Sequence, residues 1–370
     1  MIILNNDLIA HILSLIDTLS LGKCLRVCKH WKEIIEVYSW MFKLDLKYNS
    51  KIKECALKYF KNVKIINLNM MLYLTDNDKF HITDKFLYYL KGVHTIKLGG
   101  SHVTDIGLEH LKGVNKINLR YCKKITDAGM INLRGAKSVN LKGCDFITDK
   151  GIEQLKGVVN INLMYCDYIT DQGLEYLKGV YSIKLSWANK VTDKGLKFLK
   201  GVHKIYLHNC LNITDEGLKH LKGVQKIYLR NCHNITDKGL KYLKGVKCID
   251  LSGCYKITDD GLEHLKEANM INLSGCSLIT NLGLQHLKGV KAIDISYCRI
   301  TDAGLVHLKE VNKINLTGCD ITDLGLKSLE QVNKICCNKC YNITHEGLNY
   351  LNSIRPIYTV AYYFNIFKEV

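Results

Sequence analysis

A strict internal repeat constrains the fold of this chain more than any other feature of its sequence. The same short motif begins with threonine at thirteen positions, and consecutive copies lie 21 or 22 residues apart. Helical repeats of the tetratricopeptide and ankyrin kinds need about 33 residues or more, so the period excludes them. These threonines are Thr83, Thr104, Thr126, Thr148, Thr170, Thr192, Thr214, Thr236, Thr258, Thr280, Thr301, Thr322 and Thr344.

The copy over residues 235–256 indicates what each repeat folds into. Thr236 suits a helix N-cap, and the aspartate after it suits the positive end of the helix. Leu240 and Leu243 fall on one helix face, and Gly245 stands where a left-handed helix stop is expected. The alternating residues that follow, with isoleucine and leucine pointing inward, predict a short strand.

One strand and one helix per repeat predict a parallel sheet on one side of the chain and helices on the other. The expected fold class is α/β, a leucine-rich-repeat solenoid with the sheet on its concave side and the helices outside. About 13 repeats are expected over 46–352, with a small all-α module over 1–45 before them and a cap over 353–370 after them. Extra residues near the first copy predict a protruding loop at 69–82.

A cysteine recurs at one position of the repeat. The pattern Ile-x-Leu-x-x-Cys followed by Ile-Thr-Asp-x-Gly-Leu resembles the cysteine-containing subclass of leucine-rich repeats. Because equivalent side chains of stacked repeats point the same way, this cysteine column predicts buried free thiols in a reducing compartment rather than disulfides. The column holds ten of the sixteen cysteines. They are Cys122, Cys144, Cys166, Cys210, Cys232, Cys254, Cys276, Cys298, Cys319 and Cys340.

The last repeat contains a grouping that could be drawn as a zinc site. Cys336, Cys337 and Cys340 have His345 close by in the sequence. Cys340, however, belongs to the cysteine column, and Cys337 takes the place of a strand leucine. A structural role is therefore favoured, and neither a metal nor a cofactor is expected.

Composition and hydropathy favour an intracellular protein. Hydrophobic residues make up 47% of the 370-residue chain, enough for a sizeable core. No run of 18 uncharged apolar residues occurs, and Asp7 and Asp17 interrupt the stretch that a signal peptide would need. A cytoplasmic location without a membrane partner is expected, with the nucleus as the alternative. The single proline and 21 tyrosines are typical of coding from an AT-rich genome, such as that of a protist or a large DNA virus.

The N-terminal 45 residues do not follow the repeat. The string LNNDLIAHILSLIDTLSLGKCLRVCKHWKEII resembles an F-box, a module that precedes leucine-rich repeats in many proteins. The resemblance implies binding of a Skp-type adaptor and its cullin complex. It assigns this role to Leu4, Leu8, Ile12, Leu13, Val27, Cys28 and Trp31. The family usually has proline where this chain has Asn5, and that proline contributes to adaptor docking. The alternative interpretation is a helical cap that seals the solenoid.

The net charge of +17 raises the alternative of nucleic-acid binding. Twelve repeats carry Lys or Arg after the second helical leucine and eleven carry Asp after the threonine, so these two columns nearly cancel. Part of the remaining excess falls on the predicted concave face, which carries eight basic residues and no acid over 95–231 and is nearly neutral over 248–339. The basic residues are Lys97, Lys116, Arg120, Lys142, Lys184, Lys204, Lys226 and Arg230.

Aromatic residues concentrate on the same basic part of that face. Aromatic and arginine side chains are common anchors of protein interfaces, so the sequence predicts a patch that binds an acidic target protein. A solvated sheet face with incidental rings is the alternative. The predicted patch consists of Lys184, Trp187, Tyr206, His208, Tyr228 and Arg230.

No catalytic residue is expected. The histidines are scattered over repeat positions, and no Ser-His-Asp, metal-binding-helix or phosphate-loop spacing occurs. The sequence and its resemblance together predict a non-catalytic substrate-recognition subunit of a Skp-cullin-F-box ubiquitin ligase. The alternative is a scaffold or decoy that sequesters a partner without ubiquitination. A nucleic-acid-binding solenoid, which steep salt dependence would reveal, ranks third.

Overall fold

A computed structural model describes residues 33–35, 37–38, 43–46, 63–69, 82–329 and 332–354. The chain divides into two compact units, Met1–Val180 and Tyr181–Val370. Several predicted features lie outside the described residues: the adaptor-binding residues Leu4, Leu8, Ile12, Leu13, Val27, Cys28 and Trp31, nearly all of the predicted loop, and the chain after 354.

The first unit contains a parallel sheet of three-residue strands. In its described part the strands are β1 (Lys43–Asp45), β2 (Ile65–Asn67), β3 (Thr95–Lys97), β4 (Lys116–Asn118), β5 (Ser138–Asn140) and β6 (Asn160–Asn162). Each pairs in parallel with the next, so Leu44 aligns with Ile66 and Ile66 with Ile96. β1 lies before residue 46, within the segment that the sequence assigned to the helical module.

Short helices connect these strands. They are α1 (Asp84–Leu87), α2 (Asp105–Leu108), α3 (Asp149–Glu153) and α4 (Asp171–Glu175). α1 and α2 continue into 3-10 segments, Tyr88–Leu90 and Glu109–Leu111, and a 3-10 helix over Asp127–Leu133 replaces the α-helix in one repeat. The leucines of the repeat are spaced i and i+3, which matches three residues per turn and accounts for the 3-10 geometry.

The second unit repeats the same arrangement. Its strands are β7 (Ser182–Lys184), β8 (Lys204–Tyr206), β9 (Lys226–Tyr228), β10 (Cys248–Asp250), β11 (Met270–Asn272), β12 (Ala292–Asp294), β13 (Lys313–Asn315) and β14 (Lys334–Cys336), each paired in parallel with the next. Its helices are α5 (Asp193–Leu196), α6 (Asp215–Leu218), α7 (Asp237–Leu240), α8 (Asp259–Leu262), α9 (Asn281–Leu284), α10 (Asp302–Leu305), α11 (Asp323–Leu326) and α12 (His345–Ile354). Segments of 3-10 helix follow α5 to α9 and α11, at Lys197–Leu199, Lys219–Leu221, Lys241–Leu243, Glu263–Leu265, Gln285–Leu287 and Lys327–Leu329.

The repeat around α7 confirms the local predictions. The hydroxyl of Thr236 accepts a hydrogen bond from the backbone N–H of Lys238 at 3.3 Å, as an N-cap does. Leu240 and Leu243 are buried, and Gly245 ends the turn with φ +85°. The middle residue of each strand is buried too. The predicted fold class is confirmed: each unit is a leucine-rich-repeat solenoid whose core lies between its sheet and its helices.

The aspartates of ten Thr-Asp steps join neighbouring repeats within a unit, a contact that the sequence did not predict. The carboxylate of Asp215 accepts hydrogen bonds from the backbone N–H of Thr236 at 2.8 Å and from its hydroxyl at 2.6 Å. Gly239 lies so close to this carboxylate that a Cβ there would clash. The same pair of bonds recurs as Asp84–Thr104, Asp105–Thr126, Asp127–Thr148 and Asp149–Thr170 in the first unit, and as Asp193–Thr214, Asp237–Thr258, Asp259–Thr280, Asp302–Thr322 and Asp323–Thr344 in the second.

The cysteine column is buried and unpaired, as predicted. All ten members are free, buried thiols. Each sulfur donates to a backbone carbonyl of the preceding repeat, as Cys232 does to Leu207 at 3.0 Å and Cys144 to Leu119 at 3.1 Å. Burial raises the pKa of the Cys232 thiol to about 12. The column therefore stabilises the stacking of repeats as neutral thiols.

These thiols are expected to resist alkylation in the native protein. At pH 8 the column cysteines hold their protons because burial raises their pKa, as in Cys166, where it reaches about 12. Titration with a thiol reagent should show few fast groups before unfolding and all sixteen cysteines after it. Rapid reaction of ten or more thiols in the folded protein would contradict this prediction.

Neither a metal site nor a membrane-spanning helix is found in the described part of the chain. Cys336, Cys337, Cys340 and His345 all belong to that part, which contains no group of three or more His, Cys, Asp or Glu residues able to hold a metal ion. Within the same residues, no helix is both long enough and apolar enough to cross a bilayer.

Candidate target-binding face

Three consecutive strands of the second unit place three of the predicted patch residues, Lys184, Tyr206 and Tyr228, on one face of its sheet. The pairing of β7, β8 and β9 aligns Lys184 with Tyr206 and Tyr206 with Tyr228. These residues stand between the buried isoleucine and leucine of their repeats, so their side chains point away from the core. Because neighbouring strands lie about 4.8 Å apart, the three side chains span about 10 Å across the strands.

Two tyrosines form the centre of this row. The rings of Tyr206 and Tyr228 are stacked, with centroids 4.2 Å apart and planes 3° from parallel. The ammonium group of Lys184 lies 4.5 Å from the centroid of Tyr206. That of Lys204 lies 5.3 Å from the centroid of Tyr206 and 5.8 Å from that of Tyr228. Cation–π contacts of this kind hold lysines in place. Tyr228 is buried and Tyr206 is half-buried, so the stack is a rigid aromatic pair of which Tyr206 is the more accessible ring, edged with positive charge.

His208 lies beside the stack. Its ring centroid is 6.0 Å from those of Tyr206 and Tyr228, and its Nδ1 atom is buried without a hydrogen-bond partner among the described residues. Burial lowers the pKa of His208 below its ordinary value of 6.5; Asp250 opposes the shift, and Arg230 and Lys184 add to it. The imidazole is therefore neutral at pH 7, and the positive charge of the patch belongs to Lys184 and Arg230.

Trp187 adopts a backbone conformation that bulky residues rarely adopt. Its φ is +67°, and its side chain is 42% exposed. The corresponding residues of the next two repeats, Asn209 and Asn231, also have positive φ, and asparagine tolerates that region far better than tryptophan. A bulky aromatic at such a position is unfavourable for folding and gains little from burial. Trp187 therefore presents an exposed ring on a backbone conformation that disfavours it.

Beyond β9 the sheet face of the second unit becomes nearly neutral, because acidic residues accompany its remaining lysines. Asp250 on β10 is 6% exposed, and one of its carboxylate oxygens accepts hydrogen bonds from the backbone N–H of Ser252 at 3.0 Å and from its hydroxyl at 2.7 Å. Asp294 on β12 makes the same contacts with Ser296, and burial raises the pKa of Asp294. Arg230, which is exposed, marks the end of the basic region.

The six predicted patch residues lie within three consecutive repeats of the second unit: Lys184, Tyr206 and Tyr228 align on neighbouring strands, and Trp187, His208 and Arg230 lie in the turns that follow these strands. We call Lys184, Trp187, Tyr206, His208, Tyr228 and Arg230 the basic aromatic patch. Lys204, which the sequence placed among the basic residues of this face beside the patch, contacts both stacked rings. Sequence reasoning missed the positive φ of the residue that precedes the cysteine column, although glycine and asparagine recur at that position and both residues favour positive φ.

Comparisons with known families identify two components of the chain. The sequence matches the F-box domain over residues 1–39. It matches the Leucine Rich repeat over 137–156, 290–309 and 311–329. The F-box match includes every residue predicted to bind the adaptor. No curated protein matches the sequence.

Solved structures show the same fold at low sequence identity. An internalin from Listeria monocytogenes is 19% identical with a TM-score of 0.58, over 82% of this chain and 88% of its own. The mouse RP105/MD-1 complex is 16% identical with a TM-score of 0.54, over 84% of this chain and 61% of its own. The Drosophila Toll–Spatzle complex is 12% identical with a TM-score of 0.53, over 79% of this chain and 42% of its own. The protein thus joins an F-box domain at its N-terminus to leucine-rich repeats, the composition of a protein-binding adaptor of the F-box type.

Proposed function

We propose that this chain is the substrate-recognition subunit of a Skp-cullin-F-box ubiquitin ligase. The observation that supports the proposal is an F-box match over 1–39 in the same chain as a solenoid that presents the basic aromatic patch. In this arrangement the module over 1–45 binds a Skp-type adaptor, which connects it to a cullin. The solenoid over 46–352 holds the target, and 353–370 caps its end. The chain positions the target, and its partners carry out the chemistry.

The chemistry of the basic aromatic patch defines the class of target. The exposed ring of Trp187 and the half-buried ring of Tyr206 provide apolar anchors, and the buried ring of Tyr228 holds Tyr206 rigid by stacking on it. Lys184 and Arg230 surround them, and the nearest acid on the sheet face, Asp250, is buried and hydrogen-bonded. Such a field attracts an acidic protein surface and repels a basic one. The proposed target is therefore an acidic protein.

Adaptor capture by the full chain tests the proposal. Replacing Leu8 and Ile12 by alanine should abolish capture of a purified Skp-type adaptor, because both residues occupy apolar F-box positions. The His11→Ala variant is the matched control, since His11 lies between them but off the apolar spacing. Circular dichroism and thiol protection should show the repeats unchanged in each variant. The ligase proposal fails if the unmodified chain captures no adaptor at micromolar concentration.

The second candidate function is a decoy that holds a partner without ubiquitination. The observation that favours it is Asn5, which replaces the proline that F-boxes usually have at this position. A decoy captures the target but brings no cullin with it. Pull-down of the full chain with adaptor and cullin present separates the two functions, and the Asn5→Pro variant should increase adaptor capture if this position limits docking.

A further inference from the structure

Two tyrosines of the first unit share the unusual backbone conformation of Trp187. Tyr121 has φ +57° and Tyr165 has φ +59°, and both stand directly before a cysteine of the column. Between them in the sheet lies Gly143, at the same repeat position and with φ +64°. Glycine adopts this conformation at no steric cost, whereas a residue with a Cβ is disfavoured there. Folding alone therefore does not favour tyrosine at these two positions.

The ring of Tyr121 lies across the next repeat. A Cβ on Gly143 would be 2.5 Å from a carbon of that ring, so only glycine leaves room for it. The backbone N–H of Tyr121 donates to the carbonyl of Lys142 at 2.7 Å, which fixes the base of the side chain. Tyr165, two repeats after Tyr121, is 38% exposed. The two rings thus stand on either side of one repeat, along the edge where its strand ends.

A lysine occupies the space between the two rings. The ammonium group of Lys142 lies 5.4 Å from the centroid of Tyr121 and 5.2 Å from that of Tyr165. Lys123, which also lies near the ring of Tyr121, is neutralised by Asp145 at 2.6 Å. Within the part of the chain that the structure describes, no carboxylate forms an ion pair with Lys142. Its positive charge is held in position by aromatic rings and is available to an external anion.

We propose that Tyr121, Lys142 and Tyr165 form a second docking site, on the first unit, for a carboxylate-rich peptide segment of a partner protein. A carboxylate complements the unpaired ammonium group, and the outer edges of the rings contact the peptide backbone and its methylene groups. A nucleic acid fits less well, because Lys142 occupies the ring faces on which bases would stack. The site goes beyond the proposed function, which requires only the basic aromatic patch.

Substitution by asparagine tests whether the rings serve binding or folding. The chain itself places asparagine at this repeat position, at Asn209 and Asn231, so Tyr121→Asn and Tyr165→Asn keep a residue suited to positive φ. The better backbone conformation offsets the lost ring contacts. We expect the melting temperature of each variant to stay within about 2 °C of the parent chain. A larger fall would assign the rings to folding and overturn the proposal.

Binding is measured with a fluorescein-labelled octaglutamate peptide by fluorescence anisotropy. All variants are made in the full chain carrying Trp187→Ala and Arg230→Ala, so that the basic aromatic patch contributes little to peptide binding. A loss of binding in this background therefore reports on the second site and not on the proposed function. Each Tyr→Asn change and Lys142→Gln should weaken binding about tenfold. Lys150→Gln, which removes an exposed helical lysine, changes the net charge equally and should have little effect.

Two outcomes would overturn the proposal. Equal weakening by Lys150→Gln and Lys142→Gln would show that the peptide senses only the net charge of the protein. Tighter binding of a labelled fifteen-nucleotide oligothymidylate that is lost in the Tyr121→Asn and Tyr165→Asn variants would identify a nucleic-acid site instead. The Tyr168→Asn variant is the aromatic control: Tyr168 is 53% exposed but lies outside the positive-φ position, so its replacement should leave peptide binding unchanged.

Discussion

Replacing both Trp187 and Arg230 by alanine is expected to weaken target capture at least about a hundredfold. Truncation of a tryptophan or arginine anchor in a desolvated interface commonly costs about 2 kcal/mol or more. Two such losses amount to about 4 kcal/mol, and each 1.4 kcal/mol corresponds to a tenfold change in the dissociation constant. Since the two residues belong to one patch, their effects are not fully additive, and a hundredfold is the lower bound. The target, first identified by affinity purification and mass spectrometry, is titrated against each purified variant.

The same chain offers a closely matched control pair. Tyr297 has φ +58° and is 52% exposed, and Arg299 is exposed two residues further on. The Tyr297→Ala/Arg299→Ala variant therefore removes an aromatic residue with positive φ and an arginine from elsewhere in the second unit. It should bind the target as the unmodified chain does, and both double variants should keep their adaptor binding and melting temperature. Unchanged capture by the Trp187 and Arg230 variant would place the site elsewhere, at the predicted 69–82 loop or on the nearly neutral face over 248–339.

The repeat architecture could be predicted from the sequence because each repeat contains its own folding signals. Thr236, Leu240 and Gly245 specify where a helix begins, which face it buries and where it ends, and these local preferences agree with one another. The period adds the information about long-range contacts, because neighbouring repeats of equal length align their strands in register. The burial of the cysteine column follows from the same alignment.

The aspartate contacts could not be predicted in the same way. Asp215 already has a local explanation in the first turn of a helix, where its charge suits the macrodipole. Its hydrogen bonds to Thr236 depend on the rise and rotation between two stacked repeats, which the sequence does not contain. Gly239 gave a clue, because a glycine inside a helix is unfavourable unless another group approaches closely.

The position of the candidate site could be predicted from the sequence, but the arrangement of its side chains could not. The columns of the repeat place Tyr206 and Tyr228 on adjacent strands of one face, so their proximity follows from the register. The stacking of their rings and the partial burial of His208 depend on side-chain rotamers, which the repeat pattern does not determine. The positive φ of Trp187 depends on the turn after the strand. Glycine and asparagine at equivalent positions are the signal from which it could have been inferred.

Removal of one aspartate contact is expected to destabilise the second unit strongly. Asp259 accepts hydrogen bonds from the backbone N–H of Thr280 at 2.8 Å and from its hydroxyl at 2.6 Å. Bonds to a charged group contribute about 1.5–3 kcal/mol each, and loss of the acceptor leaves the amide unpaired. Asp259→Ala should therefore lower the free energy of unfolding by about 3 kcal/mol, measured by urea denaturation. Exchange of the Thr280 amide hydrogen, followed on the same variant, should accelerate.

The next residue provides the control, and a later repeat provides the rescue. Asp260 is exposed in the same helical turn, so Asp260→Ala removes the same charge near the same helix end without removing the contact to Thr280. Asp259→Asn should recover most of the stability, because Asn281 at the equivalent position accepts from the backbone N–H of Thr301 at 3.0 Å and donates to its hydroxyl at 2.7 Å. Equal destabilisation by Asp260→Ala and Asp259→Ala would contradict this prediction, because it would assign the stability to the negative charge in the first helical turn. A difference of more than about 2 kcal/mol between the two alanine variants assigns the stability to the hydrogen bonds between repeats.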